Sequence, residues 1–305
     1  MAQILNFGSL NIDKVYSLDH IANEGETIPA ISYNEGMGGK GLNQSIALKR
    51  AGADLIHAGF VGEDDGDILL DYMSENEINF LVEKVSGESG HAIIQVDKNA
   101  NNSIIVEAGA NKKIDKSYID QVLAEFDEDD FLLLQNEISN LPYIVDVASK
   151  RKMKIFLNPS PVDQTIKTID FNKIDSLILN ETEAYEISGC ENPDEIIDYF
   201  RKNYKDLNLL LTLGKDGGIY SSKDTEIKFS SFKTKTIDTT GAGDTFLGYF
   251  LASTSKGADL EKSLNLASLA AGLACSKSGA ANSIPSLKEV EEYIKENNME
   301  LWWKK

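Results

Sequence analysis

A small-residue turn followed by an acidic residue is the stretch with the clearest chemical potential. Gly241, Ala242 and Gly243 form the turn, Asp244 follows directly, and the apolar run 246–252 predicts a buried helix. At a helix start, unpaired backbone N–H groups and the positive end of the helix dipole attract an anion such as phosphate. Asp244 is then either an ordinary N-cap or a base for a hydroxyl that attacks the phosphate.

A pair of polar residues follows the first apolar run of the chain, residues 4–7, which suits a buried strand. Asn11 and Asp13 lie two positions apart, so in an extended segment both side chains point to the same side. Because ligands of α/β sheets bind where strands end, the pair is a candidate for holding sugar hydroxyls. An Asx-turn that closes the strand is the structural alternative.

A glycine-rich segment, residues 36–43, has the spacing G-x-G-x-x-G and raises the possibility of an NAD-dependent oxidoreductase. The context argues against it, because no compact buried strand runs into the segment and no acidic residue ends the next apolar strand at the expected distance. A Walker A loop fails as well, since Lys40 is followed by Gly41. Glycines that admit a ligand, with Lys40 and Asn43 as donors, fit a polyol better.

The elements that must position these residues follow an alternating pattern. From residue 116 onward, helical and strand periodicities alternate, which predicts βαβ units and a mostly parallel sheet. Polar residues follow three of these strands, at 135–137, 158–160 and 180–183. Each alone is usually a turn or a helix cap. Three at successive strand ends favour a binding site at that edge of the sheet.

A second, smaller sheet is predicted from strand patterns that stand apart from this alternation. Residues 27–33 are strand-like, and residues 91–107 read as a hairpin with a polar turn. We therefore expect one domain over 1–305, with a β-sheet lid inserted from about 11–35 and 90–108. A sheet above a substrate site would exclude water from it.

Composition narrows the class of protein. The 305 residues carry a net charge of −19, which argues against nucleic acid and against an anionic membrane surface as partners. A nucleotide stays possible, because metal ions and backbone N–H groups neutralise phosphates locally. Cys190 and Cys275 make neither a disulfide framework nor a zinc spacing. With no signal peptide and no membrane-spanning run, the expected location is cytoplasmic.

The segment D-T-T-G-A-G-D-T-F, residues 238–246, resembles the C-terminal signature of the ribokinase (PfkB) carbohydrate kinases. G-S-L-N-I-D, G-G-K-G-L-N-Q, the glutamate of L-L-Q-N-E, N-E-T-E and T-L-G-K-D-G also stand where that family has them, over nearly the whole chain. The resemblance implies a three-layer ribokinase-like α/β fold, in which helices flank a central, mostly parallel sheet and a small β-sheet forms a lid.

The resemblance also implies a role for each matching position. Sugar hydroxyls would be bound by Asn11, Asp13, Gly39, Lys40, Asn43, Glu137 and Asp244. ATP, with hydrated Mg²⁺ beside the first two residues, would be bound by Asn180, Glu183, Thr212, Gly214, Lys215, Gly217, Gly243 and Ser268. An anion hole would form from the N–H groups of Gly241, Ala242 and Gly243, with Asp244 as the base. A monovalent cation, K⁺, would be bound by Asp238, Thr240, Ala274, Lys277, Gly279 and Ser283. Asn282 departs from the proline that is more usual in this last loop.

The expected activity is transfer of the γ-phosphate of ATP to the primary hydroxyl of a pentose, D-ribose, giving ribose 5-phosphate. The N-E-T-E and G-G-K-G-x-N forms resemble ribokinases more than fructokinases or adenosine kinases. A kinase for nucleosides, fructose or deoxyribose, and a sugar-binding regulator without catalysis, are the alternatives. Expected partners are the sugar and ATP, with no nucleic acid and no membrane. Open edges on the lid sheet predict a homodimer.

Overall fold

The computed structural model describes residues 2–99, 101–297 and 299, and Trp302 and Trp303, near the end of the chain, lie outside them. Its strands, in chain order, are β1 (Ile4–Phe7), β2 (Asn11–Ser17), β3 (Ser32–Gly38), β4 (Leu55–Gly62), β5 (Asn79–Val85), β6 (Gly90–Val96), β7 (Asn102–Glu107), β8 (Phe131–Gln135), β9 (Lys154–Asn158), β10 (Ser176–Asn180), β11 (Asn208–Thr212), β12 (Gly218–Ser221) and β13 (Glu226–Phe229). Its α-helices are α1 (Lys40–Arg50), α2 (Asp67–Glu75), α3 (Lys116–Ala124), α4 (Leu141–Lys150), α5 (Glu181–Ser188), α6 (Pro193–Asn203), α7 (Ala242–Ser255), α8 (Leu260–Ala274) and α9 (Leu287–Glu296).

The large sheet has the strand order β13-β12-β11-β10-β9-β8-β1-β4-β5. Its strands from β11 to β5 run parallel, and β12 and β13 add an antiparallel edge. The chain leaves β1 towards β4 and β5, then returns to the other side of β1 as β8. This reversal makes the carboxyl ends of β1 and β8 the switch point, where α/β sheets bind ligands.

Helices cover both faces of this sheet because its buried strands are apolar on both sides. Ile4 of β1 packs into a core that includes buried residues of α1, α7, α8 and α9. The neighbouring Leu5 and Phe7 pack into a second core with residues of α3, α4 and α6. Helix, sheet and helix therefore form the three layers that the resemblance predicted.

The small sheet has the order β3-β2-β6-β7 and is separate from the large one. The hairpin prediction for 91–107 is confirmed by β6 and β7. The prediction of a strand at 27–33 is wrong over most of its length, because β3 begins at Ser32 and continues to Gly38. Pairing with β2 decides these bounds, since Ser17 pairs with Ser32 and Asn11 with Gly38. Pro29 lacks an N–H group and could not contribute to such pairing.

Further elements differ from the sequence patterns. The apolar stretch 46–51 predicts a helix, but α1 begins six residues earlier, at Lys40. Helices α5 and α6 and strand β13 were not predicted. None of the helices in the described residues is both long and apolar enough to cross a membrane.

Candidate active site

Asp244 is the third residue of α7 and does not cap the helix. The N-cap is Gly241, whose φ of 74° lies in the left-handed region that favours glycine. The N–H group of Ala242 donates to the Thr239 carbonyl at 3.2 Å, and a Cβ added at Gly243 would have no atom within 4 Å. The turn therefore leaves open space at a helix N-terminus, and the N-cap interpretation of Asp244 is wrong.

The carboxylate of Asp244 is held by two amides of α1. Gln44 Nε2 donates to its Oδ1 at 2.9 Å, and Asn43 Nδ2 to its Oδ2 at 3.4 Å. The two helices approach closely because Gly248 faces Ala47, where an added Cβ would lie 2.3 Å from the alanine Cβ. Gly248 is one helical turn beyond Asp244, and Ala47 one turn beyond Asn43. Because Gly248 has no side chain, the two helices pack closely enough for Asn43 and Asp244 to meet.

The switch point of the large sheet carries a half-buried carboxylate. Glu137 follows β8, and its Oε2 accepts hydrogen bonds from the Ser9 hydroxyl and, at 3.0 Å, from the Lys40 backbone N–H. Burial raises the pKa of Glu137 against the opposing effect of Ser9 and Lys40. Residues that follow β1 and β8 and the start of α1 therefore meet at one carboxylate.

Asn11 and Asp13 both belong to β2, so they reach this region from the small sheet. The Oδ1 of Asn11 accepts a bond from Asn111 Nδ2 at 2.8 Å. Asp13 packs against Gly38, where an added Cβ would lie 2.1 Å from its Oδ2. Burial, and then the charge of Glu137, raise the pKa of Asp13 to about 6.

Lys40 lies between these carboxylates. Burial lowers the pKa of its ammonium, but the charges of Asp244, Glu137 and Glu183 outweigh burial, so the pKa is raised. Gly39 precedes it with a φ of 91°, and a Cβ there would lie 3.3 Å from Asn11 Cγ. Lys40 therefore stays charged. It connects the cleft beside α7 with the switch-point cluster, which consists of Asn11, Asp13, Asn43 and Glu137.

That cleft has a volume of about 770 Å³. It opens along the carboxyl ends of β10 and β11 and reaches the N-terminus of α7. Every residue that the resemblance assigned to ATP lines it: Asn180, Glu183, Thr212, Gly214, Lys215, Gly217, Gly243 and Ser268. Gly241, Ala242, Asp244 and Lys40 line it as well.

Several of these cleft residues also form hydrogen bonds that stabilise the surrounding structure. Asn180 and Glu183 form a capping box on α5, with Glu183 N donating to Asn180 Oδ1 at 2.9 Å and Asn180 N to Glu183 Oε2 at 3.0 Å. Ser268 Oγ donates to the Ser230 carbonyl at 2.7 Å and accepts from Phe232 N at 3.0 Å. Ser268 therefore fixes the backbone that forms one wall of the cleft.

The two segments assigned to a monovalent cation lie next to each other. Asp238 accepts bonds from Thr240 N at 2.9 Å, Thr240 Oγ1 at 2.7 Å and Gly279 N at 2.9 Å. Burial raises the pKa of Asp238, but these bonds outweigh burial and the pKa is lowered. The Lys277 side chain pairs with Glu289 at 2.9 Å. The backbone carbonyl oxygen of Lys277 is therefore the atom of this residue that is available to bind a cation.

Of the remaining two cation positions, Ala274 is the last residue of α8 and Ser283 lies in the segment that follows this helix. The carbonyl of Ala274 accepts from Lys277 N at 3.0 Å, and the Ser283 hydroxyl donates to the Ala280 carbonyl at 2.8 Å. An ionised carboxylate with carbonyl and hydroxyl oxygens is a donor set that suits a hard cation. Among the described residues, no group of three or more His, Cys, Asp or Glu side chains is arranged to hold a metal ion.

Sequence reasoning missed three residues that hold the site. Gln44 adjoins the predicted Asn43 and is the last residue of the segment G-G-K-G-L-N-Q, and these are the signals that could have identified it. Ser9 lies two residues before Asn11 and bonds Glu137. Asn111, which holds Asn11, is 100 residues away in sequence and gives no signal.

Comparison with known proteins gives concordant results. A family model described as pfkB family carbohydrate kinase matches residues 1–287. The ribokinase of Haemophilus influenzae is 32% identical over 297 residues, or 94% of this chain and 96% of that protein. The deoxyribokinase of Salmonella typhi is 29% identical over 301 residues, or 95% and 98%. The solved structure of Arabidopsis thaliana ribokinase complexed with ribose and ATP superposes with a TM-score of 0.84, at 27% identity, covering 97% and 99%.

Proposed function

The chain belongs to the pfkB family of carbohydrate kinases and is a phosphotransferase with an alcohol group as acceptor, and from this premise we propose that it converts D-ribose and ATP to ribose 5-phosphate and ADP. One observation carries the proposal. The 3.4 Å contact between Asn43 and Asp244 joins the switch-point cluster to the open turn of α7. A polyol in the cluster would thus have a hydroxyl beside Asp244 and close to an anion at the turn.

The cluster suits a polyol because it offers acceptors to hydroxyl donors. Asp13 and Glu137 supply carboxylates, and Asn11 an amide. Asn43 Oδ1 is buried and has no hydrogen-bond partner within the described residues. An unpaired buried acceptor is costly, and a sugar hydroxyl would satisfy it. Lys40 and Gly39 complete the sugar site in this proposal.

The turn of α7 suits the γ-phosphate. The N–H groups of Gly241, Ala242 and Gly243 stand at the positive end of a helix. An added Cβ at Gly243 would meet open space, and the N–H group of Ala242 could exchange its 3.2 Å bond to Thr239 for one to the phosphate. The charged ammonium of Lys40 lines the same cleft. Together they would stabilise the negative charge that the phosphoryl group carries during transfer.

Asp244 is the base in this proposal. Its carboxylate takes the proton of the primary hydroxyl as that oxygen bonds to the γ-phosphorus, and the bond to the leaving oxygen of ADP breaks. Phosphoryl transfer depends mainly on alignment and charge neutralisation. In this proposal Asp244 of α7 aligns the hydroxyl, and Lys40 of α1 and the N–H groups of the α7 turn neutralise the phosphate charge.

Two metal ions fit the donor groups present. Glu183 would contact a hydrated Mg²⁺ that arrives with the phosphates of ATP, and Asn180 would assist; the ion would neutralise phosphate charge. Thr212, Gly214, Lys215, Gly217 and Ser268 would contact the rest of the nucleotide. K⁺ would be bound by the oxygens of Asp238, Thr240, Ala274, Lys277, Gly279 and Ser283, and would add positive charge beside the turn.

We also propose a single domain over 1–305 and a homodimer formed through the small sheet. Ile31, Tyr33, Ile104, Ile105 and Val106 are 46–71% exposed on or next to its two edge strands, and exposed apolar edges favour pairing. Light scattering should give twice the monomer mass, and Ile105→Asp should halve it. A monomeric wild-type protein would reject the dimer without affecting the activity.

The test of the activity is a phosphorylation screen with Mg²⁺, K⁺ and ATP. Ribose, deoxyribose, fructose and nucleosides are compared by coupled ADP release, and the product is identified by ³¹P NMR. We expect the highest kcat/KM for ribose and a 5-phosphate product. Deoxyribose is the second candidate, because a deoxyribokinase is nearly as similar to the chain as a ribokinase.

Other outcomes of the screen have definite meanings. A preference for a nucleoside or for fructose would reject ribose and keep the family. Binding of ribose without ADP release from any acceptor would favour a regulator that has lost catalysis. Absence of NAD binding by fluorescence would close the oxidoreductase alternative that the glycine spacing raised.

A further inference from the structure

A buried chain of amide side chains leads to Asp244 from the backbone of α1. Asn6 Nδ2 donates to the Gly41 carbonyl at 2.7 Å, and its Oδ1 accepts from Gln135 Nε2 at 2.9 Å. Gln135 Nε2 also donates to Gln44 Oε1 at 2.7 Å, and Gln44 Nε2 donates to Asp244 Oδ1 at 2.9 Å. Asn6, Gln44 and Gln135 are at most 1% exposed.

The two ends of this chain determine how each amide is turned. A backbone carbonyl only accepts, so Asn6 must present its nitrogen to Gly41 and its oxygen to Gln135. Gln135 must then present its nitrogen, and this nitrogen also meets Gln44 Oε1. Gln44 is left with its nitrogen facing Asp244, whose carboxylate again only accepts. Every amide nitrogen in the chain thus faces an acceptor, and Gln135 Oε1 is left buried without a hydrogen-bond partner within the described residues.

The two oxygens of Asp244 are consequently unequal. Oδ1 accepts the 2.9 Å bond of Gln44, whereas the Asn43 bond to Oδ2 is 3.4 Å long and weak. On the basis of the proposed function, we infer that Gln44 is the positioning residue of Asp244. It holds Oδ1 and directs Oδ2 to the acceptor hydroxyl, so that Oδ2 receives the proton. A sugar hydroxyl replaces the weak Asn43 bond.

The main test removes this bond while keeping the volume of the side chain. Gln44→Met should lower kcat by about 10²-fold, as misplacement of a reacting group does, while KM for ribose and for ATP changes less than about threefold. Ile46→Val is the matched control. Ile46 is fully buried on the same helix, but it packs in the apolar core and takes no part in the amide chain. An equal kcat loss in Ile46→Val would overturn the inference.

A double-variant cycle tests whether Gln44 acts through Asp244. In an Asp244→Asn background, adding Gln44→Met should change kcat by less than about threefold. A further loss near 10²-fold would show an independent role and overturn the inference. A large loss in Asp244→Asn with none in Gln44→Met would overturn the positioning role alone. Normal turnover in Asp244→Asn would overturn the base assigned under the proposed function, and the positioning role with it.

Gln44→Glu gives an independent readout if the methionine variant folds poorly. The introduced carboxyl group has nearly the shape of the amide, but it carries a donor towards Asp244 only when it is protonated. The kcat of this variant relative to wild type should therefore rise as the pH falls. A ratio that stays constant with pH would indicate a structural role only and overturn the inference. Gln135 and Asn158 face the same position and are uncharged.

Discussion

Gly248 of α7 lies against Ala47 of α1 with no room for a side chain, since a Cβ at 248 would be 2.3 Å from the alanine Cβ and 2.8 Å from the alanine carbonyl carbon. One turn earlier on the same faces, Asp244 meets Asn43. The distance between the two helices therefore controls the contact between the proposed base and the proposed sugar site.

Gly248→Ala should separate the two helices and lower both stability and activity. Overpacking of this kind costs about 1–3 kcal/mol, and displacement of Asp244 should reduce kcat more than KM. Urea unfolding measures the first effect and coupled ADP release the second. Ala47→Gly in the same chain removes the opposing methyl group and should restore part of both. No rescue would mean that the helix separation is not the cause.

Asp244→Asn should lower kcat by about 10²–10⁴-fold, because an amide cannot take the hydroxyl proton. Ribose affinity, measured by calorimetry, should fall much less. Asp259→Asn is the control, since Asp259 caps the neighbouring helix α8 through Lys262 N at 3.2 Å and touches nothing in the cleft. It should change stability by less than about 1 kcal/mol, because asparagine caps a helix about as well as aspartate does, and it should leave kcat unchanged. Equal losses in the two variants would contradict the assignment.

Ribose affinity should depend on the ionisation of Asp13. The pKa of Asp13 is raised to about 6, first by burial and then by Glu137, so the sugar-free carboxyl becomes protonated as the pH falls below this value. Because sugar hydroxyls donate to the ionised form, affinity should be constant above about pH 7 and weaken below about pH 6. Calorimetry from about pH 5 to 8 measures this. Asp13→Asn should bind more weakly with a flat profile; a matching slope in the variant would assign the dependence to another group.

Acid stability should depend on His57, a fully buried side chain bonded to Ser45 Oγ at 2.8 Å. Burial lowers its pKa from 6.5 to about 4, against a smaller opposing effect of the Gly8 backbone. The unfolded state therefore takes up the proton first, so stability is full above about pH 6.5 and is lost as the pH falls towards about 4. The loss is about 3 kcal/mol.

The measurement for His57 is the difference in unfolding free energy between wild type and His57→Gln from about pH 8 to about pH 4.5. Taking a difference removes the contribution of Asp13, which changes stability in the opposite direction over an overlapping range because its folded pKa is raised. The variant should be less stable than wild type at the upper end of this range and should lose less on acidification. Parallel curves would exclude His57 as the sensitive group.

The sequence predicted the parts of the fold that depend on local pattern. Apolar runs identified β1, β8 and the buried helix α7, and glycine spacing identified the turn before Asp244. Pairing between distant segments could not be predicted in this way, which is why β3 was placed too early and β13 was missed. The same holds for the candidate site, where local patterns could be predicted and contacts between distant residues could not. Adjacent polar residues were found, but the bond between Gln44 and Asp244 joins residues 200 positions apart and exists only because α1 and α7 pack closely.

The acceptor site proposed here is divided between two sheets, since Asn11 and Asp13 belong to β2 whereas Asn43 and Glu137 lie on the side of the large sheet. A molecule that fills the site would bond both parts and hold them at one fixed angle. Without an acceptor, that bridge between the two parts would be missing, and the phosphate would not be enclosed. Hydrolysis of ATP by water would then be suppressed when no sugar is bound, because the site closes around the phosphate only when the acceptor holds its two parts together.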